Sequence, residues 1–233
     1  MEKTGKESDM VETATADISK YRVEELITHG IVVSNLSYKI AQELGCDEEF
    51  CKKIAMAGIV HDIGKIKVYS YIYRQDSKDS MNIEKMRYIR MHSEIGYDIL
   101  QTKDFDEDIA RAVLYHHENF DGSGYPSNLV GENIPLMARI LRVCDVFAAL
   151  TSDRVYRNAF DVETAIELMI DEVKNFDMKI FLTFLTVVNC APIEQLTGFV
   201  VSNHDDSKNV SDKKEYGRNK KTITAKGKKG RKR

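Results

Sequence analysis

The chain has 233 residues, 42% hydrophobic and 30% charged, with a formal net charge of −3, a composition that excludes repeat, collagen-like and wholly disordered architectures. The near-neutral total is segregated: residues 207–233 hold 12 Lys and Arg against 2 Asp and Glu, a local +10, leaving 22 basic and 35 acidic residues, net −13, in 1–206. No run of about 18 apolar residues occurs, the opening MEKTGKESDM lacks a signal-peptide core, and four cysteines without a CxxC pair make no disulfide scaffold, so a cytoplasmic location is expected.

Residues 1–18 are polar without an apolar period and are expected to be flexible. From Val23 to Leu44 the apolar residues Leu26, Ile27, Val32, Val33, Leu36, Ile40 and Leu44 recur at spacings of three and four, an amphipathic helix, with Gly45 placed to cap it. Asp47-Glu48-Glu49 opens a second helix whose Ile54, Ala55, Ala57, Gly58, Ile59 and Val60 are apolar nearly all round, as in a buried helix. Further helical patterns cover about Ile83–Leu100, Asp106–His116, Leu136–Leu150 and Asp161–Lys174. Between the fourth and fifth helices lies ENFDGSGYPSNLVGENIP, an 18-residue loop that calls for a functional explanation in so helical a chain. Around Val188–Ser202 the pattern weakens to one or two short strands or a final helix. The expected fold is all-α: about six to seven helices within 19–203, a short β segment near the C-terminus, and a disordered basic tail at 204–233.

Six histidines occur, and a lone helical histidine is most often structural. The contexts here differ from that case. His61-Asp62 ends the most apolar helix, where an ionised carboxylate without a partner is costly. His116-His117-Glu118 adjoins the glycine-rich loop, and Asp145 interrupts the apolar run Ile140–Leu150. Imidazole nitrogens with carboxylate oxygens suit Fe, Mn, Zn or Co better than Mg or Ca. Five histidines and two or three carboxylates exceed one ion's needs, so two or more are expected. Glu25 lies one helical turn before His29 on the same face, as a further ligand or as a solvated helix residue.

The order His29, His61-Asp62, His92, His116-His117, Asp145, with the strings HDIGK (61–65) and HHENFDGSGYP (116–126), resembles the HD-GYP family of the HD phosphohydrolase superfamily from about Tyr21 to Asp177. The resemblance implies an HD-domain helical bundle with two or three divalent metal ions, iron or manganese ahead of zinc, cobalt or nickel. It implies hydrolysis of cyclic di-GMP, or a related cyclic dinucleotide, to pGpG and on to GMP. Carried over by position, His29, His61, Asp62, His92, His116, His117 and Asp145 match metal ligands, with Asp62 bridging two ions. Glu25 matches the extra carboxylate of trinuclear members. Lys65 matches the lysine facing the substrate phosphate, so Asp62 and Lys65 are the catalytic candidates. Gly124, Tyr125, Arg154 and Arg157 match substrate-site residues.

Physical chemistry supports these types of residue. Two ions activate water and hold phosphoryl oxygens, and Lys65 adds positive charge without competing for metal. Arg154 and Arg157, if helical, present two guanidinium forks to one side, suited to phosphate or guanine edges. Tyr125 is placed either to stack on a base or to pack under Pro126. Three departures from the family stand out: Ala148 where DVFDAL has an acid, Val155 where proline is common, and the stretch IKVYSYIYRQDSKDSMNIEKM after HDIGK. No sensor module is expected ahead of the domain. Rival readings are an HD phosphohydrolase of another nucleotide and a non-catalytic regulator that binds a GGDEF-type or other protein partner through the GYP loop or the tail. The tail is suited to nucleic acid, an anionic membrane surface or an acidic protein, or to solubility alone.

Overall fold

The computed structural model describes the backbone at residues 4–74, 83–153 and 157–190, with side chains at 23–70, 87–153 and 157–190. Arg154, Val155, the segment 191–203 expected to hold β structure and the basic tail lie outside the described residues. Among the described residues the chain is all-α, with nine α-helices and two 3-10 turns, and no helix is long and apolar enough to cross a membrane.

The first helix, α1 (Thr4–Glu43), runs through the segment expected to be flexible. That segment has no proline, and Glu, Lys, Ala and Met favour helix, so a helix nucleated by its packed half propagates outward. The packed half buries Val32, Val33, Leu36, Ile40 and Ala41. Gly45 ends it at φ 78°, with the Gly45 N–H on the Gln42 carbonyl and the Cys46 N–H on the Ala41 carbonyl, a left-handed cap that a Cβ would resist. The second helix, α2 (Glu48–Val60), starts at Asp47, whose carboxylate accepts the Phe50 N–H at 2.8 Å. After a turn at 61–63 comes α3 (Gly64–Arg74), which the sequence pattern does not reveal because Val68 is its one buried hydrophobic residue among those described.

The single pattern over Ile83–Leu100 is two helices, α4 (Ile83–Arg90) and α5 (His92–Gln101). Met91 keeps helical dihedrals, φ −71° and ψ −7°, so the apolar period passes through the break. The Met91 N–H closes tightly on the Tyr88 carbonyl, and His92 Nδ1 takes the Ile89 carbonyl at 2.6 Å. Next come α6 (Glu107–Tyr115) and the central α7 (Leu136–Leu150). The last two are α8 (Val162–Ile170) and α9 (Met178–Cys190). The sixth sequence pattern stops short of Lys174 as continuous α-helix, since α8 gives way to a 3-10 turn at Val173–Asn175.

Helix α7 buries Met137, Ala138, Ile140, Leu141, Val143, Cys144, Phe147 and Ala148 against α1, α6, α8 and α9. Phe147 and Phe184 meet edge-on at 5.0 Å, each fully buried ring contributing about 1.5–3 kcal/mol. Ala148, the departure from the family pattern, is wholly buried in this core. Arg139 Nη1 donates to Asp177 Oδ2 at 2.6 Å, joining α7 to the start of α9. This packing sets α1, α2, α5, α6 and α7 around one polar interior.

Candidate metal centre

Each polar residue of the interior comes from a helix end or an inward helix face. His29 is on α1, His61 and Asp62 lie in the turn after α2, and Lys65 is in the first turn of α3. His92 opens α5, His116 and His117 follow α6, and Asp145 faces inward from α7. His29, His61, Asp62, His92, His116 and Asp145 are buried. They sort into two groups with metal-ligand geometry, Asp62 with His92, His116 and His117, and His29 with His61 and Asp145. Within each group the ligand atoms lie within 4.8 Å of one another.

The groups meet at the dipeptide His61-Asp62. Asp62 Oδ1 is 3.3 Å from His92 Nε2 and 4.0 Å from His116 Nε2, while Oδ2 is 3.4 Å from His61 Nε2 and 2.5 Å from Lys65 Nζ. Asp145 Oδ1 is 3.0 Å from His29 Nε2 and 3.7 Å from His61 Nε2, and Oδ2 is 4.0 Å from His117 Nδ1. Three rings are fixed from behind in one way. His61, His92 and His116 each donate Nδ1–H to the carbonyl three residues earlier, on Gly58, Ile89 and Val113, at 2.6–2.7 Å. That sets the tautomer and leaves each Nε2 as a lone-pair donor facing the interior, the usual arrangement behind metal-ligating histidines.

The electrostatics call for a cation. Burial holds His92, His116 and His117 below the usual histidine range, His117 down to about 3 despite the nearby Asp145 carboxylate, which is the neutral form that binds metal. Burial opposes ionisation of Asp62 and Asp145, yet both are lowered, by Lys65 and then His61 at Asp62 and by His29 and then His61 at Asp145. Burial likewise opposes charge on His61, but Asp62 and then Asp145 raise it to about 10. Two buried carboxylates therefore draw positive charge into the space between them. His61 Nε2 and Asp62 Oδ1 are also buried without a hydrogen-bond partner, an arrangement rare in folded proteins unless something else satisfies the atoms. Orphaned donor atoms, neutral imidazoles and paired carboxylates all fit divalent metal ions of the N/O-binding kind.

Neither group includes Glu25, which is half-buried on α1 one turn before His29. The loop after His117 is ordered by its own polar groups. Buried Glu118 accepts the Ser127 and Leu129 N–H groups at 2.6 and 3.1 Å, and Asp121 accepts the Ser123 N–H at 3.0 Å. Gly124 is buried so closely that a Cβ would lie 2.2 Å from the Asn119 nitrogen. Its neighbour Tyr125 stacks on His117, centroids 4.8 Å apart at 24°, with Arg90 Cζ 5.1 Å from the same ring. Arg157 is not helical: it lies in the connection from α7 to α8 and donates to the carbonyls of Ala149, Leu150 and Asn158. The helical condition for two forks facing one way is not met at Arg157, because α7 ends at Leu150 and Arg157 folds back on its last carbonyls. The sequence placed Glu118 beside the loop without giving it a role and did not single out Arg90 or Arg142; the clue for Arg142 is its place one turn before Asp145 on α7.

Residues 10–180 match the family model described as HD domain. The chain belongs to the HD domain family. It is 40% identical over 136 residues to the cyclic di-GMP phosphodiesterase response regulator RpfG of Xanthomonas campestris, covering 58% of this chain and 35% of that protein. It is 31% identical over 187 residues to the cyclic di-GMP phosphodiesterase PA4108 of Pseudomonas aeruginosa, covering 77% of this chain and 45% of that one. This HD domain thus spans less than half the length of either relative. Among solved structures, an HDG"Y"P protein of Bdellovibrio bacteriovorus superposes with a TM-score of 0.55 at 21% identity, over 70% of this chain and 52% of that one, a likeness of fold. The HD-GYP resemblance drawn from HDIGK and HHENFDGSGYP is borne out.

Proposed function

We propose that this HD domain is a metal-dependent phosphodiesterase that hydrolyses cyclic di-GMP, or a related cyclic dinucleotide, to linear pGpG and on to GMP. The observation that carries the reading is the meeting of two N/O ligand groups at His61-Asp62. With Glu25 outside both groups, the centre is proposed to hold two ions, iron or manganese first by ligand chemistry, with zinc, cobalt or nickel as alternatives. The names of the Xanthomonas and Pseudomonas relatives favour cyclic di-GMP. A doubly charged dinucleotide does not cross a bilayer unaided, so the reading carries a cytoplasmic location, in keeping with the free cysteines.

Bound divalent ions supply Lewis acidity at the phosphoryl group and a water nucleophile competent at neutral pH. The chain's residues supply the rest. Asp62 turns one oxygen toward each ligand group, so a single carboxylate holds both halves of the centre in register. The backbone carbonyls behind His61, His92 and His116 keep their lone pairs aimed inward. Lys65 Nζ, anchored by Asp62, stands ready to share the charge that builds on phosphoryl oxygens, an effect strengthened by burial. Water adds across one phosphorus–oxygen bond: the phosphate stays as a monoester on one ribose and a proton goes to the freed oxygen of the other. The Gly124-Tyr125 turn, stacked on His117, is proposed to receive substrate rather than a GGDEF-type partner.

The test is to purify the full chain without oxygen, load it with Fe(II) or Mn(II), and follow cyclic di-GMP and other nucleotides by chromatography. Conversion to pGpG supports the proposal. Hydrolysis confined to a different nucleotide class, or metal bound with no turnover at all, would replace it with another phosphohydrolase or a non-catalytic regulator.

A further inference from the structure

Arg142 projects from α7 one turn before Asp145, on the same inward face. Its Nε donates to Asn119 Oδ1 in the loop at 2.9 Å. Its Nη1 and Nη2 make no hydrogen bond to any described residue, and the side chain is partly exposed, which leaves the fork accessible to a ligand. The surroundings oppose a solvated role. Burial lowers its pKa, while Asp145, Tyr125 and Glu172 support its charge, and that charge is felt at His117 and Tyr125. On the exposed side of the same Tyr125 ring lies Arg90, 5.1 Å away. Lys65, by contrast, sits against Asp62 at 2.5 Å. The ligand set therefore has one cation against Asp62 and a second one helical turn before Asp145, tied to the loop that carries Tyr125.

A cyclic dinucleotide has two phosphodiester groups. If one is at the ligand groups with Lys65, the other keeps its full charge and needs a partner as it leaves water. An arginine fork fixed through Nε matches two phosphate oxygens at once. Arg157, the described arginine that the sequence pointed to, commits its donors to the end of α7. On the phosphodiesterase reading above, we infer that Arg142, assisted by Arg90, binds the phosphate of the dinucleotide that is not being hydrolysed. Arg142 is then a residue that sets substrate affinity and the preference for a two-phosphate ring.

The test uses the metal-loaded full chain, measuring KM and kcat on cyclic di-GMP together with metal bound per chain. Arg142→Gln raises KM about tenfold or more, the loss of a charged hydrogen-bonding group, with metal content as in the wild type. Arg142→Lys, which keeps charge without the fork, recovers part of the loss. Asn119→Ala, which frees Nε, gives an intermediate KM and carries the test should Arg142→Gln not fold. A KM within twofold of wild type in these variants overturns the assignment. So does a fall in kcat with loss of metal at unchanged KM, which would mean that Arg142 acts through Asp145. A wild type that holds metal but hydrolyses no cyclic dinucleotide overturns the phosphodiesterase reading and this assignment with it; an active wild type with an unaltered Arg142→Gln overturns the assignment alone.

Discussion

His29 Nε2 on α1 lies 3.0 Å from Asp145 Oδ1 on α7, so a contact spanning half the chain closes one of the two ligand groups. Asp145 is the one carboxylate in that group, so its capacity depends on this pair. Asp145→Ala and His29→Ala are expected to lower bound metal from about two ions per chain toward one. Turnover should fall by at least the roughly 10–100-fold typical of disturbed metal surroundings. Metal analysis by mass spectrometry checks this; two ions retained in both variants would mean the group is not a metal site.

Lys65 pairs with Asp62 and is mostly buried. Removing it takes away a preplaced positive charge but no metal-ligand atom. Lys65→Met is expected to reduce kcat roughly 10²- to 10³-fold while metal content holds. Equal loss of metal would recast Lys65 as a residue that only supports Asp62.

Gly124 sits against the backbone of Glu118 and Asn119, which has no flexible end to move aside. Gly124→Ala should therefore displace the loop and lower stability by about 1–3 kcal/mol. Because Tyr125 moves with it, the stacking on His117 is lost and activity drops too. Denaturant unfolding against wild type reads the first effect; an unchanged midpoint would contradict the packing described.

The loop also has an acid limb. The Ser123 hydroxyl and amide, and then Lys174, hold the Asp121 carboxyl at about 2, below its ordinary 3.8. A carboxyl lowered on folding stabilises the folded state above its unfolded pKa, and that contribution is lost as pH falls through the folded value. The group is exposed, so the effect is small. Asp121→Asn should melt below wild type near neutral pH, the gap closing between about pH 4 and pH 2. A gap constant across that range would exclude Asp121 as its source.

Part of the proposed ligand set was legible from the residues alone, with His61-Asp62 at the end of an apolar helix, Asp145 inside an apolar run, and His116 and His117 beside a glycine-rich loop, whereas His29 and His92 followed from the HD-GYP resemblance. The amphipathic part of α1, the start of α2 and α7 were legible from periodicity. Three features were not. Helix α3 buries too little to leave a period. The break at Met91 keeps helical dihedrals and is made by hydrogen bonds that a pattern of apolar residues does not record. The placements of Arg157 and Arg142 were the third, since which arginine folds onto a helix end and which reaches across to the loop depends on where α7 stops and on Asn119. Polar commitments of this kind are set by tertiary contact rather than by spacing.

The most direct measurement is product release from cyclic di-GMP by the metal-loaded wild type beside Asp62→Ala, followed by chromatography, because Asp62 is the residue at which the two ligand groups meet. The account predicts pGpG from the wild type and none above background from the variant. An Asp62→Ala protein that hydrolyses cyclic di-GMP at a wild-type rate would contradict it.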